Sequence, residues 1–157
     1  MIGNQVLESA VIGIEVEASG VKGESDANNN AIEDNQVYFA GQFGIEILGS
    51  SNTTVEGNTV YEASQSSSDD YAGIEVSSDG TFAPAQNNQV INNTSYGSGT
   101  QRNGLQIDSG IPKPSQTVVN ENSLGIGVSG MSFYNGGSKT MIGSNVLDYT
   151  NPNPPQE

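Results

Sequence analysis

The sequence predicts an all-β chain wound as a right-handed, single-stranded parallel β-helix (a solenoid) of about six coils, and three observations predict it. Two short apolar phrases alternate strictly along the 157 residues. The segments between them are rich in Gly, Asn, Ser and Thr, which favour turns over long regular elements. Copies of one phrase recur at intervals of 31, 23, 35, 29 and 23 residues, so the shortest coil takes 23 and the others carry insertions. Short alternating strands recurring at such a period specify stacked coils rather than disorder.

Taken in order, the elements begin with Met1-Ile2-Gly3-Asn4-Gln5-Val6, a phrase built around an Asn followed two residues later by an apolar side chain. Gly13-Ile14-Glu15-Val16 is the second phrase, Gly-apolar-x-apolar. The first phrase returns as Ile32-Glu33-Asp34-Asn35-Gln36-Val37 and the second as Gly44-Ile45-Glu46-Ile47. Val55-Glu56-Gly57-Asn58-Thr59-Val60 and Gly73-Ile74-Glu75-Val76 make the next pair, then Val90-Ile91-Asn92-Asn93-Thr94-Ser95 and Gly104-Leu105-Gln106-Ile107. Val119-Asn120-Glu121-Asn122-Ser123-Leu124, Gly130-Met131-Ser132-Phe133 and Ile142-Gly143-Ser144-Asn145-Val146-Leu147 complete the series.

Side chains alternate across a strand, so Ile14, Ile45, Ile74 and Leu105 are expected to stack inside, with Glu15, Glu46, Glu75 and Gln106 as a column outside. The recurrent Asn is placed at a bend, where it tolerates left-handed backbone and its amide can bond the amides above and below. Asn4, Asn35, Asn58, Asn93, Asn122 and Asn145 would form that internal ladder. Tyr38, Tyr61 and Tyr96 follow it at equivalent positions and are expected to stack, as structural support or as a platform for a sugar ring. With strands about 4.8 Å apart, six coils give a rod roughly 25 to 30 Å tall.

Composition removes whole classes of chemistry. The chain has no His and no Cys, which excludes Ser-His-Asp and Cys-His nucleophiles, zinc or copper sites of the usual N/S kind, haem ligation and disulfides. Any metal would be held by oxygen. Four Lys and Arg against 18 Asp and Glu give a net charge of −14, which disfavours nucleic acid as a partner. No apolar run approaches the roughly 20 residues of a membrane span, so no membrane partner is expected. Residues 1–150 read as one domain, and 151–157, with three Pro, as a tail or linker. The start shows no signal-peptide pattern, and Met1 falls directly inside a coil. The chain therefore reads either as a piece of a longer protein or as one whose uncapped first coil pairs with another copy in a homo-oligomer.

Insertions locate the elaborated face. Long segments follow the Gly-apolar-x-apolar strand at 17–30, 77–87 and 108–116, and residues 62–72 precede its third copy. The Glu column is thus flanked by loops on both sides, which predicts a groove floored by Glu15, Glu46, Glu75 and Gln106, with Asp108 at its edge. Carboxylates about 5 Å apart repel by about 1 kcal/mol in water-like surroundings and about 3 at an effective dielectric of 20. Three readings of the column stay open: side chains splayed into solvent, a shared Ca²⁺, or a pair in which one carboxyl keeps its proton and serves as a general acid. Arg102, the only arginine, precedes Gly104 by the offset at which Tyr71 precedes Gly73, so the two are expected on adjacent coils beside Glu75 and Gln106. An exposed arginine paired with nearby Asp is the competing reading.

Asn52-Thr53-Thr54-Val55-Glu56-Gly57-Asn58-Thr59-Val60 resembles the repeats of the pectate-lyase-like parallel β-helix superfamily. The stretch from Asp70-Tyr71-Ala72-Gly73-Ile74-Glu75-Val76 to Asp79-Gly80-Thr81 is most similar to late coils of the catalytic modules of mannuronan C5-epimerases and related alginate lyases. The resemblance implies a module that binds or processes an extracellular polysaccharide, a location outside the cell or on its surface, and Ca²⁺ as the expected cofactor. By their positions in the repeats, Arg102, Tyr71 and Glu75 are the candidate catalytic residues, since such families abstract a proton beside a carboxylate with Arg, Lys, His or Tyr; Glu15, Glu46, Gln106 and Asp108 are the candidate ligand groove, and Glu46, Glu75 and Asp79 the candidate metal ligands. The epimerases carry a Tyr-Gly-x-Asp-Pro-His type motif in an early coil; this chain has neither the phrase nor any His, so their catalytic residues do not carry over. The alternative is a structural or surface-interaction β-helix with no ligand in the groove.

Overall fold

The structure, a computed structural model, describes residues 1–18, 27–78, 84–97, 99–110 and 112–150. Its strands come in triplets through the four middle coils, with a pair at either end. The first coil supplies β1 (Gln5–Leu7) and β2 (Ile14–Glu17), and the second β3 (Ala31–Glu33), β4 (Gln36–Tyr38) and β5 (Ile45–Leu48). Then follow β6 (Thr54–Glu56), β7 (Thr59–Tyr61) and β8 (Ile74–Ser77), and β9 (Gln89–Ile91), β10 (Thr94–Tyr96) and β11 (Leu105–Ile107). β12 (Val118–Asn120), β13 (Ser123–Leu124) and β14 (Phe133–Asn135) precede the last pair, β15 (Met141–Ile142) and β16 (Val146–Leu147). Stacking in parallel register makes three sheets: sheet 1 from β3, β6, β9, β12 and β15, sheet 2 from β1, β4, β7, β10, β13 and β16, and sheet 3 from β2, β5, β8, β11 and β14. The parallel β-helix expected from the repeats is the observed fold. The expected tail at 151–157 lies outside the described residues.

One detail of the repeat differs from the sequence reading. The Asn phrase is two strands rather than one strand and a bend: in Ile32-Glu33-Asp34-Asn35-Gln36-Val37 the chain passes from sheet 1 to sheet 2 at Asp34. The left-handed residue is the one before the Asn, namely Gly3, Asp34, Gly57, Asn92 and Glu121, with φ between 54° and 67°. Putting the left-handed turn one residue earlier frees the Asn side chain to point inward. Each amide of the ladder is then bonded to the next coil: Asn35 Nδ2 donates to Asn58 Oδ1 at 2.9 Å, Asn58 Nδ2 to Asn93 Oδ1 at 2.9 Å and Asn93 Nδ2 to Asn122 Oδ1 at 3.0 Å. Asn4 and Asn145 close the series at its ends. Asn29, Asn52, Asn87, Gln116 and Lys139 repeat the left-handed turn before sheet 1. At that corner Asn88 Oδ1 accepts from the Thr53 N–H at 2.8 Å.

Between the sheets lies an apolar core of Ile32, Val55, Val90 and Val119 from sheet 1, Val37, Val60 and Leu124 from sheet 2, and Ile14, Ile45, Ile74 and Leu105 from sheet 3. The glycine of the second phrase has a steric origin. A Cβ on Gly44 would stand 2.3 Å from Val60 Cγ1 and 2.7 Å from the Gly73 carbonyl oxygen, and one on Gly13 would stand 2.3 Å from Val37 Cγ1. Sheets 2 and 3 meet so closely at this corner that only hydrogen fits. Gly44→Ala is expected to lower the urea midpoint by the equivalent of about 1–3 kcal/mol, since the Gly73 backbone cannot yield as a side chain would; an unchanged midpoint would show room at the corner.

Tyr61 and Tyr96 meet with ring centroids 4.8 Å apart and their planes tilted by 43°, in contact but not stacked face to face. Tyr38 keeps the register position beside Tyr61, but the ring edge against Tyr61 comes from Phe39 at 5.4 Å, and Tyr149 extends the column past Tyr96 at 5.8 Å. At the two ends of the stack Met1, Ile2, Met141, Ile142, Val146 and Leu147 are each more than half exposed. No helix among the described residues is long and apolar enough to cross a membrane.

Candidate functional site

Parallel register sets Glu15 beside Glu46, Glu46 beside Glu75, and Glu75 beside Gln106 on the outer face of sheet 3. Two residues further along each strand a second outward column runs Glu17, Leu48 and Ser77. Asp108 continues this line, its N–H bonded to the Val76 carbonyl at 3.0 Å. The column is only partly splayed into solvent. Glu15 is exposed, whereas Glu46 and Glu75 are 7% and 6% exposed although they point away from the core. Loops before the strands border this face: the Arg102 N–H donates to the Tyr71 carbonyl at 2.8 Å, the Asp69 N–H donates to the Thr100 carbonyl at 2.9 Å, and the Tyr71 ring meets Phe43 edge-on at 5.0 Å.

Burial makes these carboxyls hold protons more tightly than exposed ones. Glu46 is pushed up to about 7, first by burial and then by the charges of Glu15 and Glu17. Glu75 rises to about 8, first by burial and then by Glu46 and Asp108, against weaker opposing effects of Ser77 and Arg102. Glu15 is raised too, by partial burial and by Glu17. The Ser77 hydroxyl approaches Glu75 without completing a hydrogen bond, for its Oγ is buried and has no partner in bonding geometry.

On the other side of Glu75 the geometry is directed. Gln106 Nε2 donates to Glu75 Oε2 at 3.1 Å, Asn103 Nδ2 donates to Gln106 Oε1 at 3.1 Å, and the Ser129 hydroxyl donates to Asn103 Oδ1 at 2.5 Å. This chain fixes the Gln106 amide with its N–H₂ toward Glu75. Asn103 and Ser77 escaped the sequence reading because neither belongs to a repeated phrase; the polar run Gln101-Arg102-Asn103 before Gly104 was the available signal, and Gln101 and Asn103 are fully buried.

Of the expected site residues, Tyr71 and Arg102 are on adjacent coils, and Glu46, Glu75, Gln106 and Asp108 share one face. Glu15 is on the same face toward the first coil, and Asp79 lies outside the described residues. Among the described residues no three Asp or Glu side chains converge as a metal cage.

Similarity to known proteins agrees with this geometry at the level of fold. The mannuronan C-5 epimerase AlgE6 A-module of Azotobacter vinelandii superposes with a TM-score of 0.59 at 16% identity, over 99% of this chain and 43% of that one. The AlgE4 A-module from the same organism gives 0.62 at 14% identity, over 90% of this chain and 42% of that one. The chain thus spans less than half the length of either. No curated protein sequence matches it. The family described as a right-handed beta helix region matches residues 1–147. Triplets of parallel strands, an inward Asn ladder and that match over nearly the whole chain agree, and the protein belongs to the right-handed beta helix family.

Proposed function

We propose that this chain is a carbohydrate-associated module that holds an extracellular polysaccharide along the outer face of sheet 3 and exchanges a proton with it, in chemistry like that of polyuronate lyases and epimerases. The observation that carries the reading is the Glu46–Glu75 pair: two neighbouring carboxyls on the outside of the solenoid, covered, and titrating at about 7 and about 8. Such a pair holds one proton near neutral pH, so it can accept at one oxygen and donate from another. Removing the proton beside a uronate carboxylate is the difficult step of both reactions, and Arg102 is the cation at hand to face that carboxylate. In the lyase outcome the electron pair forms a C=C bond and expels the glycosidic oxygen, which takes a proton; in the epimerase outcome a proton returns to the opposite face of the same carbon. Tyr71, whose carbonyl accepts from the Arg102 N–H on the adjacent coil, would be the second proton-carrying group.

Ca²⁺ is a second reading, favoured by one observation. The unpartnered Ser77 oxygen beside Glu75, with Asp108 nearby, adds neutral and charged oxygens of the kind a hard cation takes. Glu46 and Glu75 would hold it, and it would replace the shared proton and neutralise a bound uronate.

Proton NMR of alginate, pectate and a neutral glycan incubated with the protein, with calcium and with chelator, tests both readings. Unsaturated ends or changed epimer signals are expected, and Arg102→Ala and Glu75→Gln should each abolish them while the fold persists. Turnover retained in both variants would sink the assignment of these residues. No product and no line broadening with any glycan would leave the protein a structural β-helix.

A further inference from the structure

A cavity of about 480 Å³ opens on the flank of the solenoid, at the corner after sheet 2 rather than on the outer face of sheet 3. Its wall is assembled from three successive coils: Glu8, Ser9 and Ala10 from the first, Phe39 and Gly41 from the second, Gln65 and Ser66 from the third. None of these residues belongs to the proton-exchanging pair or its neighbours. Phe39, half-buried, is the terminal ring of the aromatic column, touching Tyr61 at a near-perpendicular 76°.

Most polar groups around that ring share one property. Side-chain donors in the cavity wall are already used inside the protein: the Ser9 hydroxyl donates to the Ile12 carbonyl, the Ser66 hydroxyl to the Gly41 carbonyl, and Gln65 Nε2 to both the Glu62 carbonyl and Thr100 Oγ1. The backbone N–H groups of Glu8, Phe39, Gly41, Gln65 and Ser66 are likewise bonded to carbonyls, while those of Ser9 and Ala10 have no acceptor among the described residues. Apart from those two N–H groups, the wall leaves acceptors to a ligand, namely the Glu8 carboxylate, the Gln65 Oε1 and the lone pairs of two hydroxyls. A ligand matched to acceptors around a phenyl ring must donate, must carry an apolar face, and gains if it is cationic. A ligand carboxylate would meet Glu8 and a protein of net charge −14.

We propose that this cavity binds a sugar ring bearing a free amine, its ammonium on Glu8 and its ring face on Phe39. The cavity is of the size that small ligands fill. It would give the protein a recognition site for an amino sugar separate from the groove, and it stands or falls independently of any activity there.

Ligand-observed NMR of the full chain with glucosamine, N-acetylglucosamine, glucose, glucuronate and putrescine tests it. Glucosamine should show saturable binding, with transfer to the ring protons of Phe39, tighter than N-acetylglucosamine, glucose and glucuronate. Glu8→Gln, an exposed change that leaves the corner's backbone intact, should weaken glucosamine by roughly fivefold or more, and Phe39→Leu should weaken it again. Absence of saturable glucosamine binding, equal binding of glucose or glucuronate, or an affinity unmoved by Glu8→Gln would overturn the proposal. Putrescine binding more tightly than glucosamine would overturn the sugar part of it.

Discussion

Asn58→Leu is expected to cost about 3–5 kcal/mol of unfolding free energy, a large share of the roughly 5–15 kcal/mol by which a domain is stable. Asn58 is 1% exposed and all four bonds its amide makes are internal. Its Oδ1 accepts from the Asn35 backbone N–H and from Asn35 Nδ2, both at 2.9 Å, and its Nδ2 donates to the Ile32 carbonyl at 2.8 Å and to Asn93 Oδ1 at 2.9 Å. Leucine fills much of the volume but leaves the buried Asn35 N–H and Ile32 carbonyl without these partners, and each orphaned group costs about 1–3 kcal/mol. Asn4→Leu is the control, because Asn4 is exposed and its side chain makes only two bonds. Urea denaturation should separate the two variants widely; equal loss in both would remove the buried-amide account of the ladder.

Raising the pH from about 6 to about 9 should destabilise the protein, by on the order of 3 kcal/mol after allowance for solvent screening of the pair. Glu46 and Glu75 have folded-state values of about 7 and about 8 against an ordinary 4.5. A raised carboxyl favours the folded state only while it is protonated. Its contribution is therefore complete below 4.5 and is lost as the pH climbs through 7 and then 8. This window sits above the titration of ordinary carboxylates, so relief of the overall negative charge at acid pH does not mimic it. Urea midpoints across the range should fall steadily for the natural chain and much less for Glu75→Gln, whose amide keeps the shape without the charge. A flat profile for the natural chain would show that the pair is ionised without cost.

What could be read in the sequence was whatever the coils repeat. Gly-Ile-Glu-Val, copied with little change, carried both the inward Ile and the outward Glu, because alternation along a strand is local. The Asn ladder was legible for the same reason, although its left-handed turn was misplaced by one residue: Asp34, Asn92 and Glu121 carry no shared letter to mark the position, and only Gly3 and Gly57 hint at it. Coverage of Glu46 and Glu75 was not legible. Strand alternation assigns both to the outer face and carries no signal of how far the surrounding residues cover them. The flank cavity was invisible as well, since its walls come from residues of three coils that share no phrase.

The Asn ladder also gives the solenoid a direction. At every rung it is the later coil that offers the oxygen and the earlier one that offers the hydrogens. Six amide dipoles are thereby aligned head to tail along the axis, each polarising the next. The column is a vector, with its oxygen pole at Asn4, and the two ends of the rod are electrically unlike even where their side chains are equally apolar. A coil can continue this alignment only in the same sense; joined in the opposite sense, two like poles would meet.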